Sequence, residues 1–159
     1  MNRQLTFNER SYSKYEVRAH RVGEYRALYE AKVNSAEKAA RFIFQALEPD
    51  TYAEERFQAL MLNNAGDVIG FQEISRGELS GTVVHPREVF KLAVILNAAA
   101  MIITHNHPSG RVTPSDEDIT TTKRLEEAGE ILGINVLDHI ITGYNNQYYS
   151  LKAEGAGTC

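Results

Sequence analysis

The segment richest in chemistry is His105-Asn106-His107-Pro108-Ser109-Gly110, followed by Pro114-Ser115-Asp116-Glu117-Asp118. Two histidines two residues apart at the end of a strand project to the same side. Both imidazoles can then meet one metal ion at about 2.0–2.1 Å. Pro108 and Gly110 turn the chain away and leave such a site open. Asp118, at the start of the next helix, can bring a carboxylate as third ligand. Two His and one carboxylate leave the fourth tetrahedral position to water, the arrangement of a catalytic zinc site and not of a closed structural one. Zinc lowers the pKa of bound water to about 7, which makes hydroxide available at neutral pH.

A plainer reading competes. His-x-His alone is weak evidence, and Ser115-x-x-Asp118 has the spacing of a capping box, in which the carboxylate reaches back to the cap N–H. The two roles conflict in part, since a carboxylate oxygen on zinc is not free to close a box. The coincidence of both halves at the end of a buried strand favours the metal. Two lookalikes drop out. HNH nucleases draw their residues from positions spread over a hairpin and a helix, not from three adjacent letters. Zinc deaminases need His-x-Glu with Pro-Cys-x-x-Cys, and here the one cysteine is Cys159.

The elements that must position these residues can be read from periodicity and punctuation. Ala100–Thr104 is a short apolar run with the length of a buried central strand. A polar loop covers 105–114, and a long helix covers 115–131, with Gly133 just past its end. Upstream, Asn34-Ser35 offers an N-cap, and Ala36, Ala39, Ala40, Ile43 and Leu47 follow at helical spacing up to Pro49-Asp50. Residues 55–62 and 68–74 read as a hairpin around Asn63–Asp67. A short strand at Thr82–Val84 precedes a helix with Pro86 at its first position, and Val89, Phe90, Ala93, Val94 and Asn97 form its apolar stripe. Strands at 136–142 and 147–151 flank the turn Gly143–Asn146. Tyr15–His20 alternates like an edge strand. The organisation expected is an N-terminal arm (1–33), one metal-binding domain (34–151) and a frayed tail (152–159), with an α/β (α+β) mixed sheet covered by helices.

Composition agrees with that scale. The chain has 159 residues, 43% hydrophobic and 24% charged, as in an ordinary globular domain. Its longest apolar run, 98–103, is far short of the roughly 20 residues that span a bilayer, and no secretory signal is evident at the start. With one cysteine no internal disulfide or thiolate zinc cage can form, so the expected home is the cytoplasm. The net charge of −4 argues against strong non-specific nucleic-acid binding. Residues 1–32 carry +3 and the remainder −7, a basic arm that reads first as a solvated surface.

His105-x-His107-Pro108 with Ser115-x-x-Asp118 resembles the JAMM motif of the JAB/MPN metallopeptidases. The longer string through Pro114 resembles the RadC-like branch. Val84-His85-Pro86-Arg87-Glu88-Val89-Phe90, Leu96-Asn97-Ala98-Ala99-Ala100 and Leu137-Asp138-His139-Ile140-Ile141 extend the resemblance over about residues 34–151. It implies a layered, cytidine-deaminase-like sheet and a zinc hydrolase acting on peptide or isopeptide bonds. In that reading His105, His107 and Asp118 hold Zn2+. A glutamate two residues before a Phe is the general base, here Glu55 in Glu55-Arg56-Phe57, and Ser115 donates to the oxyanion. Taken without the resemblance, the residues do not choose among Glu54, Glu55 and Glu73. The longer family members carry a helix-hairpin-helix module in front, which residues 1–33 do not match. The alternative of a DNA-repair-associated protein, either a metal-dependent phosphodiesterase or a binding module, is weaker for that reason; steep salt dependence of DNA binding would support it. His139 reads as a buried, hydrogen-bonded histidine, with a role orienting a metal ligand as the alternative. His85 shapes the loop before its helix, and Tyr148-Tyr149 reads as edge-strand packing. Thr104 stands where Ala is common, a change expected to matter little. Oligomeric state and substrate identity are not legible.

Overall fold

The computed structural model describes residues 32–77 and 84–155. The strand expected at Tyr15–His20, almost all of the arm, Thr82 and Val83 of the next short strand, and the last four residues of the tail lie outside the described residues. The elements in chain order are α1 (Ala36–Leu47), β1 (Arg56–Leu62), β2 (Val68–Arg76), α2 (Pro86–Ile95), β3 (Ala100–Asn106), α3 (Asp116–Leu132), β4 (Asn135–Thr142) and β5 (Tyr148–Ser150).

Local chemistry explains most boundaries. The Ser35 hydroxyl accepts from the Lys38 N–H at 3.2 Å and starts α1. Glu48, with φ 48°, ends it, and a 3-10 turn at Pro49–Thr51 follows. Asn63 Oδ1 accepts from the N–H groups of Ala65 and Asp67, both at 2.9 Å, and so closes the β1–β2 turn. His85 caps α2, with Pro86 in its first turn. Gly133, with φ 69°, ends α3.

The strands form one mixed sheet in the order β2-β1-β3-β4-β5. β3 is central, antiparallel to β1 and parallel to β4. Phe57, Ala59 and Met61 of β1 and Met101 and Ile103 of β3 pack with Val89, Phe90, Ala93 and Leu125 on one face. Leu60, Leu62, Ile102 and Ile140 pack with Ala39, Ala40, Ile43 and Leu47 on the other. The sheet is therefore sandwiched between α1 and the α2–α3 pair. Burial on both faces is why β3 reads as a continuous apolar run. No helix among the described residues is long and apolar enough to cross a membrane.

One expected face is corrected. Val94 of α2 is 53% exposed, and Asn97 lies beyond the helix end with φ 51°. Leu92 and Leu96 join Val89, Phe90 and Ala93 against the core instead. Both sets fit helical spacing, and only the sheet underneath chooses between them. Thr104 is buried, and its hydroxyl has no partner among the described residues, so it has a desolvation cost that Ala would not.

Candidate metal centre

The fold brings both histidines and two carboxylates to the C-terminal end of β3. His105 lies opposite Phe57 of β1 and beside Ile141 of β4 in register. It is fully buried, stacked on Phe57 with centroids 6.1 Å apart and 14° between planes. His107 follows the strand, and its N–H donates to the Thr142 carbonyl at 2.9 Å, which carries the β3–β4 ladder one step further. The loop between His107 and Val112 is backed by the 143–144 turn. Tyr144 donates its hydroxyl to the Pro108 carbonyl, and a Cβ on Gly143 would stand 2.3 Å from the Gly110 carbonyl oxygen. Only glycine permits that approach.

One donor atom each from Glu55, His105 and His107 lies within 4.8 Å of the other two. Glu55 stands one residue before β1, with its Oε1 3.7 Å from His105 Nε2. Asp118 approaches the same nitrogens from the first turn of α3, with Oδ1 3.2 Å from His105 Nε2 and Oδ2 3.7 Å from His107 Nε2. The expected conflict between cap and ligand is resolved by dividing the carboxylate. Oδ2 closes the capping box, accepting from the Ser115 N–H and hydroxyl, both at 2.7 Å, while Oδ1 faces His105. Ser115 is thus the N-cap of α3, and its one proton is directed at Asp118. The Glu54 side chain is not part of this group. Glu73 pairs with Arg56 and Arg76 at 3.2 and 3.0 Å.

Hydrogen bonding fixes which imidazole nitrogens carry protons. Thr122 Oγ1 lies 2.6 Å from the Asp118 main-chain carbonyl, which can only accept, so the hydroxyl proton is spent there. Thr122 Oγ1 must then accept from His139 Nδ1–H, 2.6 Å away. Neutral His139 therefore presents a bare Nε2, which accepts from His105 Nδ1–H at 2.8 Å. His107 Nδ1 lies 2.7 Å from the Arg111 carbonyl and must donate to it. His105 Nε2 is thereby left bare and faces His107 Nε2 at 2.9 Å; a neutral His107 sets a second lone pair against it, and a protonated His107 donates to it. Two such nitrogens beside two carboxylates make a position suited to a positive charge, a proton on His107 Nε2 or a metal ion in its place.

That donor set fits a divalent metal. Ligand atoms about 2.0–2.1 Å from a tetrahedral ion stand about 3.3 Å from one another, and the separations from His105 Nε2 run from 2.9 to 3.7 Å. The electrostatics favour the metal-binding forms of His105 and Asp118 and oppose that of His107. Burial, then the neighbouring His139, push His105 well below 6.5, against the pull of Asp118. Asp118 raises His107 above 6.5, outweighing its partial burial. Burial works to raise Asp118, but His107, His105 and the Ser115 bonds together hold it far below the ordinary carboxylate range. Burial pushes His139 down to about 4. A bare imidazole and an ionised carboxylate are the forms that bind metals, so His105 and Asp118 stand ready and His107 must give up a proton when an ion binds.

Two residues in this network were missed in the sequence. Asn106 points away from His105. Its Oδ1 accepts from the Arg56 N–H at 2.8 Å, and its Nδ2 donates to the Glu54 carbonyl at 3.0 Å. It thereby clamps the chain on both sides of Glu55. Thr122 lies four residues after Asp118, on the same helix face. That spacing was the available signal, but nothing marked the turn as facing His139.

Comparison with known proteins follows the same lines. A family model described as the RadC-like JAB domain matches residues 33–156. A protein of Desulforamulus reducens named UPF0758 protein is 58% identical over 101 residues, 64% of this chain and 44% of its own length. One of the same name from Desulforudis audaxviator is 46% identical over 137 residues, 86% of this chain and 56% of its own. Another, from Staphylococcus carnosus, is 47% identical over 124 residues, covering 78% and 54%. The chain spans about half the length of these curated relatives.

Proposed function

Because the chain belongs to the RadC-like JAB domain family, we propose that it is a zinc-dependent hydrolase of amide bonds, a metallopeptidase or isopeptidase. The observation that carries this reading is the pair of imidazole Nε2 atoms 2.9 Å apart, with the Asp118 and Glu55 carboxylates 3.2 and 3.7 Å from His105 Nε2. His105, His107 and Asp118 would hold the ion. A bound zinc supplies Lewis-acid polarisation and lowers the pKa of water to about 7.

The chain's own groups do the remaining work. Glu55 is the more open carboxylate, 20% exposed against 5% for Asp118, and Asp118 is committed to the cap. Glu55 therefore takes the proton from the attacking water and delivers it to the leaving amine. Asn106 keeps that carboxylate in reach by holding the Glu54 carbonyl and the Arg56 N–H. Ser115 can turn its hydroxyl from Asp118 toward an oxyanion, and the positive end of the α3 dipole lies beside it.

The test is zinc stoichiometry and turnover on linear and isopeptide-linked peptides, for the parent and for Glu55→Gln. About one zinc per chain is expected in both proteins, with turnover reduced about 10²–10⁴-fold in the variant. A parent that takes no zinc refutes the reading, as does one that binds zinc and cleaves neither peptide class. A Glu55→Gln protein that loses zinc would exchange the roles of Glu55 and Asp118.

A further inference from the structure

We propose that Thr122 and His139 are positioning residues that lock His105 in the one tautomer able to offer Nε2 to a cation. The inference rests on the metal reading above and goes beyond it, because neither residue touches the candidate ion position.

The relay starts and ends on one residue. The main-chain carbonyl of Asp118 takes the Thr122 proton at 2.6 Å. Thr122 Oγ1 takes the His139 Nδ1 proton at 2.6 Å, and His139 Nε2 takes the His105 Nδ1 proton at 2.8 Å. The bare His105 Nε2 then faces the Asp118 carboxylate at 3.2 Å. Thr122, His139 and His105 are all buried, so water does not supply substitute partners. Each link allows only one direction, because a carbonyl has no proton to give. Phe57 holds the geometry, stacked on His105 and edge-on to His139 at 5.6 Å. Histidine ligands generally need such an outer partner on the second nitrogen. Here that partner is itself a histidine, whose direction is set by a helix carbonyl through one hydroxyl.

Reversing the relay has a defined consequence. If Thr122 Oγ1 is removed, His139 Nδ1–H has no acceptor, and a buried unpaired donor is costly. His139 then moves its proton to Nε2 and donates to His105 Nδ1. His105 must carry its own proton on Nε2, where it bonds to the His107 Nε2 lone pair and blocks the cation.

The experiment uses the full chain with Thr122→Val, Thr122→Ser and His139→Gln. The first readout is the histidine tautomer in the metal-free protein, by nitrogen-15 NMR near neutral pH. The second is zinc affinity by competition with a chromophoric chelator. The parent, Thr122→Ser and His139→Gln, which keeps an acceptor for His105, are expected to show His105 protonated at Nδ1. Thr122→Val is expected to show it protonated at Nε2 and to bind zinc about 10–100-fold more weakly. A parent with His105 protonated at Nε2 overturns the inference, whether or not it binds zinc. So does Thr122→Val with the parent's tautomer and affinity, or Thr122→Ser as weak as Thr122→Val. A parent with the Nδ1–H tautomer that takes no zinc upholds the relay and refutes the metal reading instead.

Discussion

In the proposed site Asp118 would have two jobs in one carboxylate, capping α3 and holding the ion, and two substitutions separate them. Asp118→Ala removes the oxygen that accepts from the Ser115 N–H and hydroxyl, both at 2.7 Å. Loss of a cap costs about 1 kcal/mol, and loss of a charge-assisted partner adds a similar amount. The sum, about 2 kcal/mol, lowers the melting temperature of a chain this size by about 4–8 °C. Asp118→Asn keeps an oxygen facing Ser115 and turns an NH2 group toward His105 Nε2, 3.2 Å from the present Oδ1. The amide satisfies that lone pair as a donor, so metal-free stability should change by less than about 1 kcal/mol. The same NH2 cannot ligate zinc, and affinity should fall by more than about 100-fold, beyond what outer partners alone contribute. The assay is thermal melting of both metal-free variants at about pH 8, above the histidine range, beside zinc titration. An Asn variant with the parent's zinc affinity would reduce Asp118 to a cap. An Asn variant as unstable as Ala would refute the division of the carboxylate.

Two further predictions concern the metal-free protein. His139 is held at about 4, below its ordinary 6.5, so below pH 6.5 the unfolded chain binds a proton that the native chain refuses. Its contribution to stability is complete above about pH 6.5 and is lost as pH falls toward 4, by up to about 3 kcal/mol. His107, raised above 6.5, works in the opposite sense and is common to both proteins, so the urea midpoint difference between parent and His139→Gln across this range reports the loss of His139 together with the relief of His105, which has the same sign; a pH-independent difference would contradict it. Gly129→Ala in α3 should gain up to about 1 kcal/mol from helix propensity alone. A Cβ there would stand 2.6 Å from the Ile134 carbonyl oxygen, so the sign should reverse to a loss of about 1–3 kcal/mol in denaturant unfolding.

Much of this arrangement is legible in one dimension because its causes are local. Ser35, Pro86, Ser115 and Gly133 mark helix ends by their own backbone and side-chain chemistry. The run into His105 betrays a strand buried on both faces, and the spacing of His105, His107, Ser115 and Asp118 is short enough to read directly. The family resemblance supplied Glu55, which the residues alone could not separate from Glu54 or Glu73.

What only the tertiary structure decided depends on partners distant in the chain. Val94 and Leu92 both fit helical spacing, and the sheet beneath α2 selects Leu92. Asn106 is an unremarked letter between two histidines until β1 pairs with β3 and sets it against Glu54 and Arg56. His139 and Thr122 lie 34 and 17 residues from His105. Their effect on its tautomer arises only where β4 runs parallel to β3 under α3. Residue types and short spacings could nominate candidate ligands. The direction of the protons on Thr122, His139 and His105 Nδ1 was settled by the Asp118 carbonyl within hydrogen-bonding reach of Thr122.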